Sequence, residues 1–138
     1  MTEIQLAAEL LWRVNVPPSK VSLGVGFYGR SFTLQDPSCS KPGCKFSGAS
    51  RPGKCTNTGG YLAYYEIQDI LKKNADIKVQ HDNHAAVKYF SWDKDQWISF
   101  DDKLTFEQKV RWANDVGMSG LLVWASDLGM SLNPRCTS

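Results

Sequence analysis

Long apolar runs are missing from this chain. No uninterrupted stretch approaches the roughly 18 residues needed to cross a bilayer, so a membrane-spanning helix is not expected. Excess charge of one sign is missing too. Sixteen Lys and Arg stand against fourteen Asp and Glu, a formal charge of +2. The basic residues are scattered rather than clustered, which argues against a nucleic-acid partner. Histidine is scarce, with His81 and His84 both in a polar stretch, and neither points to a catalytic or metal role. The first thirteen residues, Met1 to Arg13, lack a basic leader, an apolar core and a small-residue cleavage site, so they do not read as an export signal. They read as an amphipathic helix, with Thr2 and Gln5 at capping-box spacing and Ile4, Ala8, Leu11 and Val14 on one face.

Aromatics, by contrast, are abundant, with five Trp, five Tyr and six Phe in 138 residues. Most are expected to be packing residues, and a minority exposed in a groove would suit stacking on sugar rings. There are four cysteines. Cys39, Cys44 and Cys55 share a loop rich in Gly, Pro, Ser and Lys, and Cys136 lies near the end. Four cysteines allow three pairings, and sequence alone does not choose among them. Zinc ligation is the competing reading, but the spacings do not match the usual ligand pairs and no histidine is near. Disulfides are therefore expected, and with them an oxidising compartment. Such a loop in a chain without an export signal suggests that an N-terminal part of a longer protein is missing.

Proline at positions 17 and 18 ends the first helix, because it cannot extend the hydrogen-bond ladder. Val21–Phe27 reads as a buried strand whose glycines at 24 and 26 imply close approach of backbone or ligand. A long stapled loop, 35–59, follows. A helix is expected over Tyr61–Lys73, then short strands at Ile77–His81, Ala86–Trp92 and Gln96–Phe100, the last two joined by a tight hairpin. Trp92 and Trp97 read as hairpin core. Leu104–Val116 reads as a second amphipathic helix, with Thr105 and Gln108 as capping box and Gly117 as its stop. Gly120–Ala125 is a second apolar strand. Strands apolar on both faces suit a parallel sheet covered by helices. Two strand–helix units cannot close a barrel of eight, so the expectation is an α/β chain: an incomplete (β/α)8 barrel fragment carrying a small α+β insert.

Four ordered motifs then carry a resemblance. Phe27-Tyr-Gly-Arg-Ser-Phe-Thr-Leu34, Gly60-Tyr-Leu-Ala-Tyr-Tyr-Glu-Ile67, Trp97-Ile-Ser-Phe-Asp-Asp102 and Gly120-Leu-Leu-Val-Trp-Ala-Ser-Asp-Leu128 resemble the seventh barrel strand, the insertion domain and the eighth strand of family-18 glycoside hydrolases, the chitinases. The Cys39–Cys55 loop is similar to that of the fungal, killer-toxin-like subgroup. The resemblance implies a C-terminal portion of such an enzyme: barrel helix and strand seven over 1–34, the insertion domain over 35–102, and barrel helix, strand eight and tail over 103–138. It implies a secreted protein without cofactor or metal, whose partner is chitin or a chito-oligosaccharide.

Residue by residue, the resemblance makes Trp124 the floor of the sugar site at the cleavage point. Tyr28 and Arg30 become an aromatic and basic pair that contacts bound sugar. Glu66 matches a groove-wall carboxylate, though as a lone acid at a helix start it could equally be a capping partner. Family-18 cleavage uses Asp-x-x-Asp-x-Asp-x-Glu, and no segment of this chain matches it. The expected alternatives are thus an enzyme part whose acid lies elsewhere, a non-catalytic chitin-binding module, or a truncated remnant. Exposed barrel edges would favour self-association.

Overall fold

The computed structural model describes residues 1–129, and Cys136 lies outside them. The described chain is a mixed α/β structure built around two sheets. Helix α1 (Thr2–Arg13) leads through a short 3-10 turn (Pro18–Lys20) into strand β1 (Ser22–Gly26), which pairs in parallel with β8 (Gly120–Trp124). Between them the chain forms a six-stranded antiparallel sheet: β2 (Tyr28–Leu34), β3 (Phe46–Ala49), β4 (Tyr61–Ala63), β5 (Gln80–Asp82), β6 (Val87–Trp92) and β7 (Gln96–Phe100). Its order is β3-β2-β7-β6-β5, with β4 also pairing with β2. Helix α2 (Tyr64–Lys73) follows β4, and α3 (Lys103–Asp115) returns the chain to β8.

Each sheet has its own core. Alternation along β7 sends Gln96, Ile98 and Phe100 inward, as the two-residue period requires. Ile98 and Phe100 join Leu62, Ile67 and Phe90, with Ile70, Leu71 and Trp92 of the flanking elements against them. Ile67, Phe90 and Ile98 are almost fully buried, each contributing about 1.5–3 kcal/mol of transfer free energy. A smaller core places Leu23 and Val25 of β1 against Ala113 of α3, with Ile4, Phe106, Trp112 and Met118 around them. Strand β8 is exposed along its whole length, and so the expected second buried strand is apolar but uncovered among the described residues.

Several local expectations shift. Tyr61–Ala63 is a strand rather than the first turn of a helix, because it pairs with Tyr28–Arg30 of β2. The long loop contains β3, held to β2. Helix α1 starts at Thr2 with Met1 at its N-cap and no side-chain cap, so Thr2 lies inside the helix and cannot close a box with Gln5. Leu11 and Val14 of its expected inner face are exposed.

At α3 the box is one turn earlier than expected. Asp102 accepts from the Thr105 N–H, and Thr105 Oγ1 accepts from the Asp102 N–H, both at 3.0 Å. Gln108 instead reaches out of the helix to Asn83 at 2.5 Å and His81 at 3.1 Å, tying β5 to α3. Gly117 ends α3 with φ +77, a left-handed conformation that glycine adopts without a Cβ clash.

The Asp101 carboxylate, just beyond β7, receives Lys109 Nζ at 2.5 and 2.7 Å and the Thr105 hydroxyl at 2.8 Å. Both charged side chains are well shielded, Lys109 at 8% and Asp101 at 16% exposure. This cluster clamps the end of the antiparallel sheet onto α3.

Candidate sugar-binding rim

Gly26 and Trp124 are register partners at the C-terminal ends of the two parallel strands. That end is where side chains of parallel α/β sheets meet ligands, since the strand ends and following loops converge there. Trp124 is 67% exposed, the most exposed large aromatic of the described residues that pack around this end. Its carbonyl accepts from the Phe27 N–H at 3.0 Å, and the Phe27 carbonyl accepts from the Tyr64 N–H at 3.0 Å. The Trp124–Ala125 peptide is cis. Phe27 is thus the single residue between the two sheets, bonded on one side to the end of β8 and on the other to the start of α2.

Tyr28 follows directly. Its ring lies over Gly26, where a Cβ would come within 2.7 Å of the tyrosine Cε1. What approaches Gly26 is thus a side chain, not the backbone or ligand that the sequence suggested, and a Cβ there would have to displace the Tyr28 ring. Gly24 has open space instead. The Tyr28 ring meets Tyr61 edge-on at 6.2 Å, and the Arg30 guanidinium sits 5.2 Å from the Tyr28 ring centre. Cation–π contact at this distance holds the guanidinium plane near the ring while its N–H fork stays solvated. Arg30 is exposed and Tyr28 half-buried. The structure therefore gathers Trp124, Tyr28 and Arg30 at one end of the molecule. It adds Tyr61, which the helical expectation over 61–73 does not single out and which the pairing of β4 with β2 brings beside Tyr28.

Glu66 takes the other of its two expected roles. It is buried, and Oε1 accepts from the N–H groups of Cys55 at 2.8 Å and Thr56 at 3.2 Å. Oε2 accepts from the Ala63 N–H, the N-cap of α2, at 3.0 Å. Both oxygens are committed to backbone, which fixes the cysteine loop to the helix start and leaves little for a ligand. Neighbouring Tyr65 has its phenol pushed above its ordinary range by burial first, then by the charges of Glu66 and Asp127.

Cys39 and Cys44 form a disulfide with Cα atoms 5.7 Å apart. Cys55 is disulfide-bonded as well, and no cysteine is free among the described residues. Zinc ligation by these three thiols is thereby excluded. Among the described residues no group of three His, Cys, Asp or Glu side chains could hold a metal, and no helix is long and apolar enough to cross a membrane.

A cavity of about 1100 Å³ lies beside the rim rather than on it, between Phe27, Tyr64, Phe106, Val110, Ser126 and Asp127. None of Trp124, Tyr28 or Arg30 lines it. Its walls combine α3 with Phe27, the start of α2 and the turn after β8.

Comparison with known proteins identifies the family. The profile of Glycosyl hydrolases family 18 matches residues 3–129. The chain is similar to Secreted chitinase LysM12 of Penicillium expansum, 31% identical over 93% of this chain and 9% of that protein. It is similar to mouse Chitotriosidase-1, 36% identical over 88% of this chain and 25% of the relative. Among solved structures, human YKL-39, described as a pseudo-chitinase with retained chitooligosaccharide binding, superposes with TM-score 0.85 at 29% identity, covering 96% of this chain and 35% of that one. The chain thus spans a quarter or less of the two curated relatives and about a third of the solved structure. With a family profile spanning nearly all of the described residues and folds that superpose on them, the chain belongs to glycoside hydrolase family 18.

Proposed function

We propose that this chain is the strand-seven-to-eight portion of a chitinase, and that it supplies the sugar platform for β-1,4-linked N-acetylglucosamine chains without carrying the acid that cleaves them. The observation that carries this reading is the outward Trp124 indole at the end of β8, beside the Tyr28–Arg30 pair. An indole face offers a wide apolar surface for the C–H face of a pyranose, and the guanidinium offers donors to hydroxyl and acetamido oxygens. In this reading β1 and β8 are two neighbouring strands of an incomplete barrel, and the antiparallel sheet with α2 is the insert between them. The disulfide-closed loop is in keeping with a secreted protein of the fungal subgroup.

Calorimetric titration of chito-oligosaccharides into the chain tests the platform. Trp124→Ala is expected to lower affinity at least about tenfold, the scale of losing a central aromatic anchor. Unchanged binding in that variant would remove Trp124 from the site. Release of chromophore from a chromogenic chito-oligosaccharide by the isolated chain would refute the non-cleaving part of the proposal.

A non-catalytic binding module is the second reading, favoured by the likeness to a pseudo-chitinase with retained chitooligosaccharide binding. Cleavage restored by co-expression with an upstream segment bearing Asp-x-x-Asp-x-Asp-x-Glu would favour the enzyme part over the module.

The exposed strand also bears on assembly. Leu121, Leu122, Val123 and Trp124 are between 44% and 67% exposed, and among the described residues β8 pairs only with β1. An apolar, one-sided strand is a template for further pairing. Light scattering is expected to show concentration-dependent self-association of the isolated chain; a monomer at all concentrations would count against it.

A further inference from the structure

Tyr28, Arg30 and Phe32 alternate along β2 with the buried Gly29 and Ser31, so they share the face turned away from the core. The aromatic surface continues across the sheet on that face. Phe32 stands opposite Trp97 of β7 with ring centres 6.3 Å apart, and Trp97 lies 5.8 Å from Tyr89 of β6. Phe46 of β3 tilts against Phe32 at 4.7 Å and is 58% exposed. None of these four rings belongs to either hydrophobic core. Trp97 is therefore not the hairpin core residue its sequence position suggested, whereas Trp92 is packed as expected.

The disulfide loop lies over this surface, held there by the Trp97 indole N–H donating to the Ser40 carbonyl at 2.9 Å. Between loop and sheet is a cavity of about 530 Å³ lined by the rings of Phe32, Phe46 and Trp97 and by Gln35, Lys41 and Lys45. No carboxylate lines it. Phe46 is exposed and Phe32 and Trp97 are half-buried outside both cores, so their rings stay accessible from the cavity, and amine and amide donors beside a ring face are the complement of a neutral, acceptor-rich pyranose. Phe32 is four residues from Tyr28 on the same face, about 13 Å at 3.3 Å per residue. A chain of sugars leaving the rim along β2 passes Arg30 and reaches this cavity.

We propose that the cavity beneath the Cys39–Cys44 loop is a distal subsite for the same N-acetylglucosamine polymer, with Phe32 and Trp97 as floor and Phe46 as wall. The subsite rests on the sugar-binding reading of the rim and adds to it a direction: the polymer runs outward along β2.

The test is titration of the chain with the N-acetylglucosamine disaccharide and hexasaccharide. In Phe46→Ala the hexasaccharide should bind about tenfold more weakly, equivalent to about 1.4 kcal/mol, while the disaccharide is unaffected. Phe46→Tyr should restore the long ligand. Because Phe46 is exposed, its removal leaves both cores untouched, and a melting curve checks this. In nitrogen-correlated NMR spectra the Trp97 indole N–H should move with hexasaccharide and stay with disaccharide.

Wild-type hexasaccharide affinity in Phe46→Ala with a stationary Trp97 indole overturns the subsite, and leaves the rim reading intact if Trp124→Ala still loses both ligands. Failure of the wild-type chain to bind either oligomer removes rim and subsite together. Salt-sensitive binding of heparin in preference to the hexasaccharide overturns the sugar class assigned to the cavity.

Discussion

Lys109→Met should destabilise the chain by about 3–5 kcal/mol, the range for removing one partner of a buried ion pair. In the native structure Asp101 takes both its oxygens to Lys109 and one also to the Thr105 hydroxyl. At 16% side-chain exposure, the carboxylate left by the substitution has little water to replace the ammonium. The removed charge is not replaced by Lys88, whose amine is 3.7 Å from Asp102 rather than Asp101. The melting temperature should fall by more than about 10 °C for a chain of this size. The double variant Asp101→Leu/Lys109→Met should recover much of the loss, since exchanging a buried pair for apolar groups is often close to neutral. A single variant within about 1 kcal/mol of wild type would show that solvent reaches Asp101 freely, and that the clamp between sheet and helix lies elsewhere.

Glu66→Ala should cost about 3 kcal/mol. The substitution leaves the N–H groups of Cys55, Thr56 and Ala63 without their acceptor, and each buried orphan costs about 1–3 kcal/mol. The sum is held down because the sites at Cys55 and Thr56 are only partly buried, so water can take up some of the lost bonds. Hydrogen exchange should show faster loss of the Cys55 and Thr56 amides, with Ala63 following as the first turn of α2 frays. Glu66→Gln should lie between, because it keeps one acceptor oxygen and places an amide NH2 against a donor. The same variants separate the two roles that the sequence left open. A groove-wall contact predicts weaker oligosaccharide binding at unchanged melting temperature; a capping role predicts the reverse.

The difference between these two residues shows what was readable beforehand. The fold class followed from apolar runs, glycines and prolines, because those constraints act within a few residues. Gln96–Phe100 was recognised with its ends intact, since strict alternation over a hairpin is a local pattern. Tyr61–Ala63 was misassigned because its strand character comes from β2, about thirty residues away, and no short-range signal outweighs that pairing. Trp124, Tyr28 and Arg30 could be named from their motifs, but their gathering depends on the parallel register of Gly26 with Trp124, nearly a hundred residues apart. Lys109 was invisible. A lysine on an amphipathic helix reads as solvated, and only the fold reveals that its amine is turned inward to Asp101. Trp97 failed in the opposite sense: a tryptophan in a hairpin reads as core, and the pleat turns it out.

The tie at Phe27 has a geometric consequence. Its N–H is bonded to the Trp124 carbonyl and its carbonyl to the Tyr64 N–H, so the end of β8 and the start of α2 are held to the two sides of a single residue. Both bonds are made by backbone atoms, so a side-chain substitution at 27 other than proline keeps the donor and the acceptor. If the rim holds sugar as proposed, the spacing between the end of β8 and the start of α2 belongs to the backbone at residue 27 and the contacts belong to the rings, so the two can change separately.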